Sequence, residues 1–178
     1  MEGQMSEFMD EYSESLEQDF RKIDGALLND TVNLLAPSEP IRFLPDASVQ
    51  EAIDRMVENH RAAVVVVDTD GRLIGIFTER DVLIRVLGQG RDVRRTRLGE
   101  VMTPDPEALS AQDRICYAVN RMSTAGHRTI PLVDGERRPI GIVTVNDIVK
   151  WLADIFPEAV LNLRPGDTLK RPLQVDSG

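Results

Sequence analysis

Two segments of the chain combine residue types that can hold a sugar phosphate. Gly75-Ile76-Phe77-Thr78-Glu79-Arg80-Asp81 and Gly141-Ile142-Val143-Thr144-Val145-Asn146-Asp147 share one pattern: glycine, two apolar residues, threonine, two variable residues, aspartate. Each apolar run reads as the end of a strand and each Thr-x-x-Asp as the start of a helix. A helix start presents free N–H groups and the positive end of the helix dipole, which together attract anions. A threonine hydroxyl placed there can donate to a phosphate. An aspartate one turn on can accept from the two vicinal hydroxyls of a ribose, so the arrangement suits a nucleotide. Thr-x-x-Asp is equally a capping box, in which the threonine oxygen takes a backbone N–H and the aspartate reaches back to the cap. The two roles are compatible, because a capping threonine can turn to phosphate when a ligand arrives.

The twin segments belong to a longer repeat. Sliding the chain along itself by 66 positions lays Ala52, Arg55 and Met56 over Ala118, Arg121 and Met122, and Val67-Asp68 over Val133-Asp134. In each copy a short extended piece (Ile41 to Leu44; Glu107 to Leu109) precedes a helical pattern, with apolar residues at Val49, Ile53, Met56 and Val57 or at Ile115, Val119 and Met122. Ser48 and Glu51 form a capping box at the first helix, and Asp113 is the expected cap of the second. A β-branched run follows (Val64 to Val67; Ile130 to Val133), then a polar turn and a second apolar strand (Leu73 to Phe77; Ile140 to Val143). Each copy closes with a helix, from about Glu79 to Leu87 or from Val145 to Ile155. The unit therefore reads β-α-β-β-α. Strands without polar alternation need cover on both faces, and one unit has too few helices to supply it. The two copies are thus expected to pack together around a pseudo-two-fold axis, in an α/β (α+β) fold with a cleft between them.

With the lead-in Leu98-Gly99-Glu100-Val101-Met102-Thr103-Pro104, these features resemble a tandem pair of CBS domains, a Bateman module, over about residues 36–157. The resemblance implies repeat 1 at 36–90, a basic linker at 91–97 and repeat 2 at 98–157. It also implies binding of an adenosine-containing ligand, AMP, ADP, ATP or S-adenosylmethionine, in the cleft, with no obligatory cofactor. Thr78 and Thr144 would meet phosphate, and Asp81 and Asp147 would meet ribose. The lead-ins, Ile41 and Arg42 in one copy and Thr103 and Pro104 in the other, would line the adenine with backbone groups. Nucleotide-sensing members often carry His-Arg before the second strand, which His127 and Arg128 match. His60-Arg61 sits one residue further from its strand end, so the shift lays Arg61 over His127. Because the basic pair of one repeat usually serves the other repeat's site, the set Thr78, Asp81, His127 and Arg128 is expected to be the better equipped.

The remaining signals bound the class. Hydrophobic content of 42% and charged content of 29% fit a soluble globular chain. The longest apolar run, Ala62 to Val67, is far short of the ~20 residues of a membrane span, and no secretory leader pattern opens the sequence. A single cysteine, Cys116, and two histidines give no disulfide and no tetrahedral zinc set, which points to a reducing, cytoplasmic setting. Cys116 itself reads as a small buried hydrophobe, and Trp151 as core or dimer interface. The net charge of −9 is concentrated in residues 1–35, which hold nine acids and two bases. Overall acidity opposes nucleic-acid binding; the run Arg91-Asp92-Val93-Arg94-Arg95-Thr96-Arg97 reads as a solvated linker. Phe8, Tyr12, Leu16, Phe20, Ile23 and Leu27 spell an amphipathic helix whose acidic polar face argues for protein rather than membrane contact. The tail from Phe156, with three prolines, is expected to lose order.

The expected function is a regulatory module without chemistry of its own, a homodimer by resemblance, signalling to an effector protein. Two other classes stand beside it. Asp81 and Asp147 with His127 nearby could serve a magnesium-dependent phosphoester hydrolase, although no P-loop or dense ligand cluster is present. A structural interaction domain with empty clefts is the third.

Overall fold

The computed structural model describes residues 21 and 25–155. Most of the expected acidic helix and the tail from Phe156 lie outside the described residues. Residues 25–29 are helical, Asn29 Nδ2 donates to Gly25 O at 2.7 Å, and Ala26 and Leu27 pack against the core of the second repeat. No helix among the described residues is long and apolar enough to cross a membrane.

Repeat 1 has the β-α-β-β-α order in full, whereas in repeat 2 the expected leading strand at 107–109 is reduced to a single parallel bridge from Leu109 to Leu132. In repeat 1, β1 (Arg42–Phe43) precedes α1 (Val49–Glu58), whose start is fixed by the expected capping box: Ser48 N–H donates to Glu51 Oε2 at 2.8 Å and Glu51 N–H to Ser48 Oγ at 3.2 Å. Helix α1 buries Val49, Ala52 and Met56 against the sheet. Next come β2 (Ala63–Val67), buried along its whole length as its five apolar residues require, and β3 (Leu73–Thr78). In repeat 2 the corresponding elements are α4 (Ile115–Ala125), β5 (Thr129–Val133), β6 (Pro139–Thr144) and α5 (Val145–Ile155). Between β2 and β3, and between β5 and β6, one aspartate organises the turn. Asp68 Oδ1 accepts from Asp70 and Arg72 N–H, and Asp134 Oδ1 from Glu136 and Arg138 N–H.

Three local departures have physical causes. Asp113 does not cap α4: its carboxylate accepts from Ser110 N–H at 2.7 Å, Arg114 is the cap residue, and Ile115 N–H is taken instead by Asp30 O at 3.0 Å. The helix after β3 begins as α2 (Glu79–Asp81), widens into a π-helix at Val82–Val86 and ends in a 3-10 turn at Leu87–Gln89. Gly88 permits this, since a β-carbon there would sit 2.9 Å from Leu83 O. Residues 91–97 keep Arg94 and Arg95 in solvent, as a linker would. They nevertheless fold over the start of α1, where Val93 O and Thr96 O accept from Gln50 and Val49 N–H and Thr96 is buried.

The two repeats exchange their leading segments. β1 runs parallel to β2, β2 antiparallel to β3, and β3 antiparallel to β4 (Thr103–Pro104), giving the order β1-β2-β3-β4. β4 thus leads into repeat 2 but closes the sheet of repeat 1. Conversely Ser38, ahead of repeat 1, bridges to Ile142 of repeat 2, while Leu109 bridges to Leu132 within repeat 2. The helical turns before these strands are exchanged as well. Val32 and Leu35, in a 3-10 turn (Val32–Leu35), are buried in the core of repeat 2 with Ile115, Leu132 and Trp151. Leu98 and Val101, 66 positions on in α3 (Leu98–Val101), are buried in the core of repeat 1 with Val49, Phe77 and Val86. Each such residue contributes about 1.5–3 kcal/mol when fully buried. A third cluster, Val65, Val67, Leu73 and Ile142, joins the two sheets.

The glycine that opens each motif is explained by this exchange. A β-carbon at Gly75 would collide with Met102 Sδ, and one at Gly141 would lie 3.0 Å from Pro37 Cβ. In both places the leading segment of the other repeat passes over the bare backbone.

Candidate functional site

The two Thr-x-x-Asp segments stand at matching strand-to-helix turns, and in both the capping geometry is realised. Thr78 N–H and Thr78 Oγ1 donate to Asp81 Oδ2 at 2.9 and 2.7 Å, and Asp81 N–H donates to Thr78 Oγ1 at 3.4 Å. In repeat 2, Thr144 N–H and Oγ1 reach Asp147 Oδ2 at 2.8 Å each, with Asp147 N–H to Thr144 Oγ1 at 3.4 Å. One carboxylate oxygen of each aspartate is therefore committed to its own helix. The first helical amide is committed too, Glu79 N–H to Ala62 O and Val145 N–H to Arg128 O.

The other carboxylate oxygen distinguishes the repeats. Asp81 is only 8% exposed, and its Oδ1 lies 3.3 Å from Arg85 Nε. The same guanidinium donates through Nη1 to Val101 O at 3.0 Å and Met102 O at 2.6 Å, the carbonyls just ahead of β4. Among the described residues Asp147 has no such neighbour, for the 66 shift lays Trp151 over Arg85, and Trp151 is in the core. Arg85 was not singled out by the sequence motifs. Its signal is an acid–base pair at i, i+4 that one repeat has and the other lacks.

The remaining residues expected at the site are distributed as follows. Thr103 pairs with Ile76 and Pro104 with Gly75, next to the Thr78 turn. Ile41 O accepts from Val65 N–H at 2.9 Å, and Arg42 Nη2 donates to Pro139 O of the other repeat at 3.0 Å. Ile41, Arg42 and Arg61 share a concavity of about 750 Å³ with Phe43 and Arg55; Thr78, Asp81, Thr144 and Asp147 do not line it. His127 and Arg128 are exposed. The backbone of Arg128 abuts the start of α5 in its own repeat, and His127 Nε2 lies 4.0 Å from Glu107 Oε2. Among the described residues no hydrogen bond or ion pair joins His127 or Arg128 to Thr78 or Asp81. Nor could any group of three or more His, Cys, Asp or Glu side chains there hold a metal ion.

Chemically, each turn offers an acceptor at a partly spent carboxylate and a hydroxyl that can exchange its internal bond for an external one. That is a binding arrangement for a polyol or a phosphorylated sugar. The meiotically up-regulated gene 70 protein of Schizosaccharomyces pombe is 33% identical over 140 residues, which are 79% of this chain and 18% of that protein. The CBS domain-containing protein CBSCBSPB3 of Arabidopsis thaliana is 28% identical over 157 residues, 78% of this chain and 27% of that protein. The chain thus spans a minor part of either relative. Among solved structures, the CBS domain pair of MJ0100, in complex with 5'-methylthioadenosine and S-adenosyl-L-methionine, has a TM-score of 0.63 and 26% identity, covering 70% of this chain and 96% of that one. ATU1752 of Agrobacterium tumefaciens, a CBS-domain containing protein, has a TM-score of 0.61 and 30% identity, covering 68% and 97%. The sequence model of the CBS domain matches residues 35–88 and again 98–154, more than half of the chain. With two matched repeats, exchanged leading segments and twin capped turns, the chain belongs to the CBS domain family, as a tandem pair.

Proposed function

We propose that this chain is a regulatory module that binds an adenosine-containing ligand, AMP, ADP, ATP or S-adenosylmethionine, at the turns of Thr78–Asp81 and Thr144–Asp147, and performs no chemistry itself. The observation that carries the reading is the pair of aspartates at matching helix starts, each with Oδ2 bound to its cap threonine, which leaves Oδ1 as the oxygen a ribose would have to engage. The adenosine ligands of the MJ0100 domain pair support the ligand class. The exposed side chains of His127 and Arg128, with Arg61, would serve a phosphate. The module works as a homodimer, inside the cell, and reports to an effector protein. That report requires the bound and empty forms to differ in affinity for the effector, since binding alone transmits nothing.

A charge-assisted hydrogen bond contributes about 1.5–3 kcal/mol, so Asp147→Ala weakens binding at its turn by about ten- to a hundredfold. The test is a thermal-shift panel of AMP, ADP, ATP, S-adenosylmethionine and 5'-methylthioadenosine, followed by titration of Asp81→Ala and Asp147→Ala. Any ligand selective for the native state raises the melting temperature by linkage. A panel in which no adenosine compound shifts the transition refutes the proposal. A shift that survives in the double variant moves the site away from these turns.

A further inference from the structure

The two turns are built alike except for Arg85, and the consequence of that difference deepens the proposed function and rests on it. A carboxylate has about four acceptor positions. At Asp147, Oδ2 carries two bonds and Oδ1 carries none among the described residues, so both hydroxyls of a ribose find an acceptor. At Asp81, Oδ1 already faces Arg85 Nε at 3.3 Å, and a vicinal diol taking both positions must compete with the guanidinium. That guanidinium also holds the carbonyls of Val101 and Met102. Met102 in turn fills the space over Gly75, and the next two residues form the strand that closes the sheet of repeat 1 and leads into repeat 2. Arg85 is 38% exposed at its side chain, so it has solvent to move into. The π-helical turn that carries it, Val82–Val86, is a local deformation of a kind often found at functional positions.

We propose that Arg85 is a positioning residue that couples occupancy of Asp81 to the strand joining the repeats: a ribose that takes Asp81 Oδ1 does so against the Arg85 ion pair, and the guanidinium's hold on the Val101 and Met102 carbonyls loosens. Repeat 1 is then the turn that transmits and repeat 2 the turn that only binds, because Trp151 at the matching position is fixed in the core.

The test uses 5'-methylthioadenosine, whose lack of phosphate separates the ribose contact from attraction between Arg85 and an anion. An Asp147→Asn background silences the second turn. Titration and hydrogen exchange at the Met102 and Asp105 amides, which bond Leu98 O and Ile74 O, are followed with Arg85 intact, with Arg85→Ala and with Arg85→Lys. With Arg85 intact, ligand is expected to speed exchange at these amides several-fold. In Arg85→Ala exchange is already fast and unresponsive, and affinity rises roughly two- to fivefold, the scale of a partly exposed ion pair. Arg85→Lys falls between the two and keeps the test valid if the alanine variant does not fold. A ligand response that persists without Arg85, or an affinity that falls on its removal, overturns the coupling while leaving the proposed function intact. Absence of binding in every form, including the chain with both turns intact, overturns both.

Discussion

Alanine at Asp81 and alanine at Asp147 are the same substitution at matching positions, yet they remove different amounts of structure. Both delete the carboxylate that accepts from the cap threonine, a loss on the scale of a helix cap, about 1 kcal/mol. At Asp81 the substitution also strands Arg85, whose Nε lies 3.3 Å from Oδ1. Exposed ion pairs contribute about 0.2–1 kcal/mol, whereas breaking a fully buried one costs about 3–5 kcal/mol. Here the acid is buried and the base is a third exposed, and the base keeps two carbonyl partners. The extra loss is therefore about 1–2 kcal/mol. Asp81→Ala should destabilise by about 2–3 kcal/mol and Asp147→Ala by about 1 kcal/mol. At roughly 2–4 °C per kcal/mol for a chain of this size, the two melting temperatures should differ by several degrees. Urea denaturation of both variants, with midpoints compared at constant slope, measures the difference. Adding Arg85→Ala to each supplies the control: the gap should close, since Asp81→Ala then leaves no guanidinium stranded. If Asp147→Ala is as destabilising as Asp81→Ala, the ion pair stabilises nothing and the reasoning fails.

Gly75→Ala should cost about 1–3 kcal/mol through crowding against Met102, and Met102→Ala in the same chain should recover part of it. A double-mutant cycle with a coupling below about 0.5 kcal/mol would contradict the close approach. Leu98→Ala should destabilise by about 2–5 kcal/mol, because Leu98 is fully buried among residues of the preceding repeat; equilibrium unfolding measures it. Glu51 is held below the usual carboxylate range, first by the Ser48 hydroxyl and then by the Ser48 N–H. A depressed acid contributes stability above its ordinary value of 4.5 and loses it as pH falls through the lower folded-state value. Glu51→Gln should therefore flatten the acid limb of the stability curve below pH 4.5, with little change in its slope at higher pH; an unchanged acid limb would count against the assignment.

The sequence carried the unit order, the Ser48–Glu51 cap and the position of the twin turns, because these rest on apolar periodicity, β-branched runs and short-range hydrogen bonding. It did not carry the exchange of leading segments. Val32 with Leu35 and Leu98 with Val101 are two apolar residues each on a four-residue turn, too short for periodicity to register, and their partners are set by tertiary packing. The π-helical stretch was equally hidden, since Val82-Leu83-Ile84-Arg85-Val86 contains no glycine or proline to mark it. The Asp113 cap failed because two nearby groups competed: Ser110 N–H took the carboxylate, and the backbone of Asp30 took the helix amide that Asp113 would have capped. At the twin turns both readings of Thr-x-x-Asp predicted the same residues, so only coordinates could assign Oδ2 to the cap and leave Oδ1 as the atom that differs between repeats.

Since each half plugs the other's hydrophobic interior, and the second supplies the outermost strand of the first while the first adds only a bridge to the second, neither half should fold by itself. Severing the chain near Gly90 would yield two pieces that must reassociate to regain their shape, and two identical halves could trade the same arms between separate molecules. Fusing them in one chain turns that encounter into an intramolecular event, so melting should proceed in a single step and a disturbance at either edge is felt across the whole.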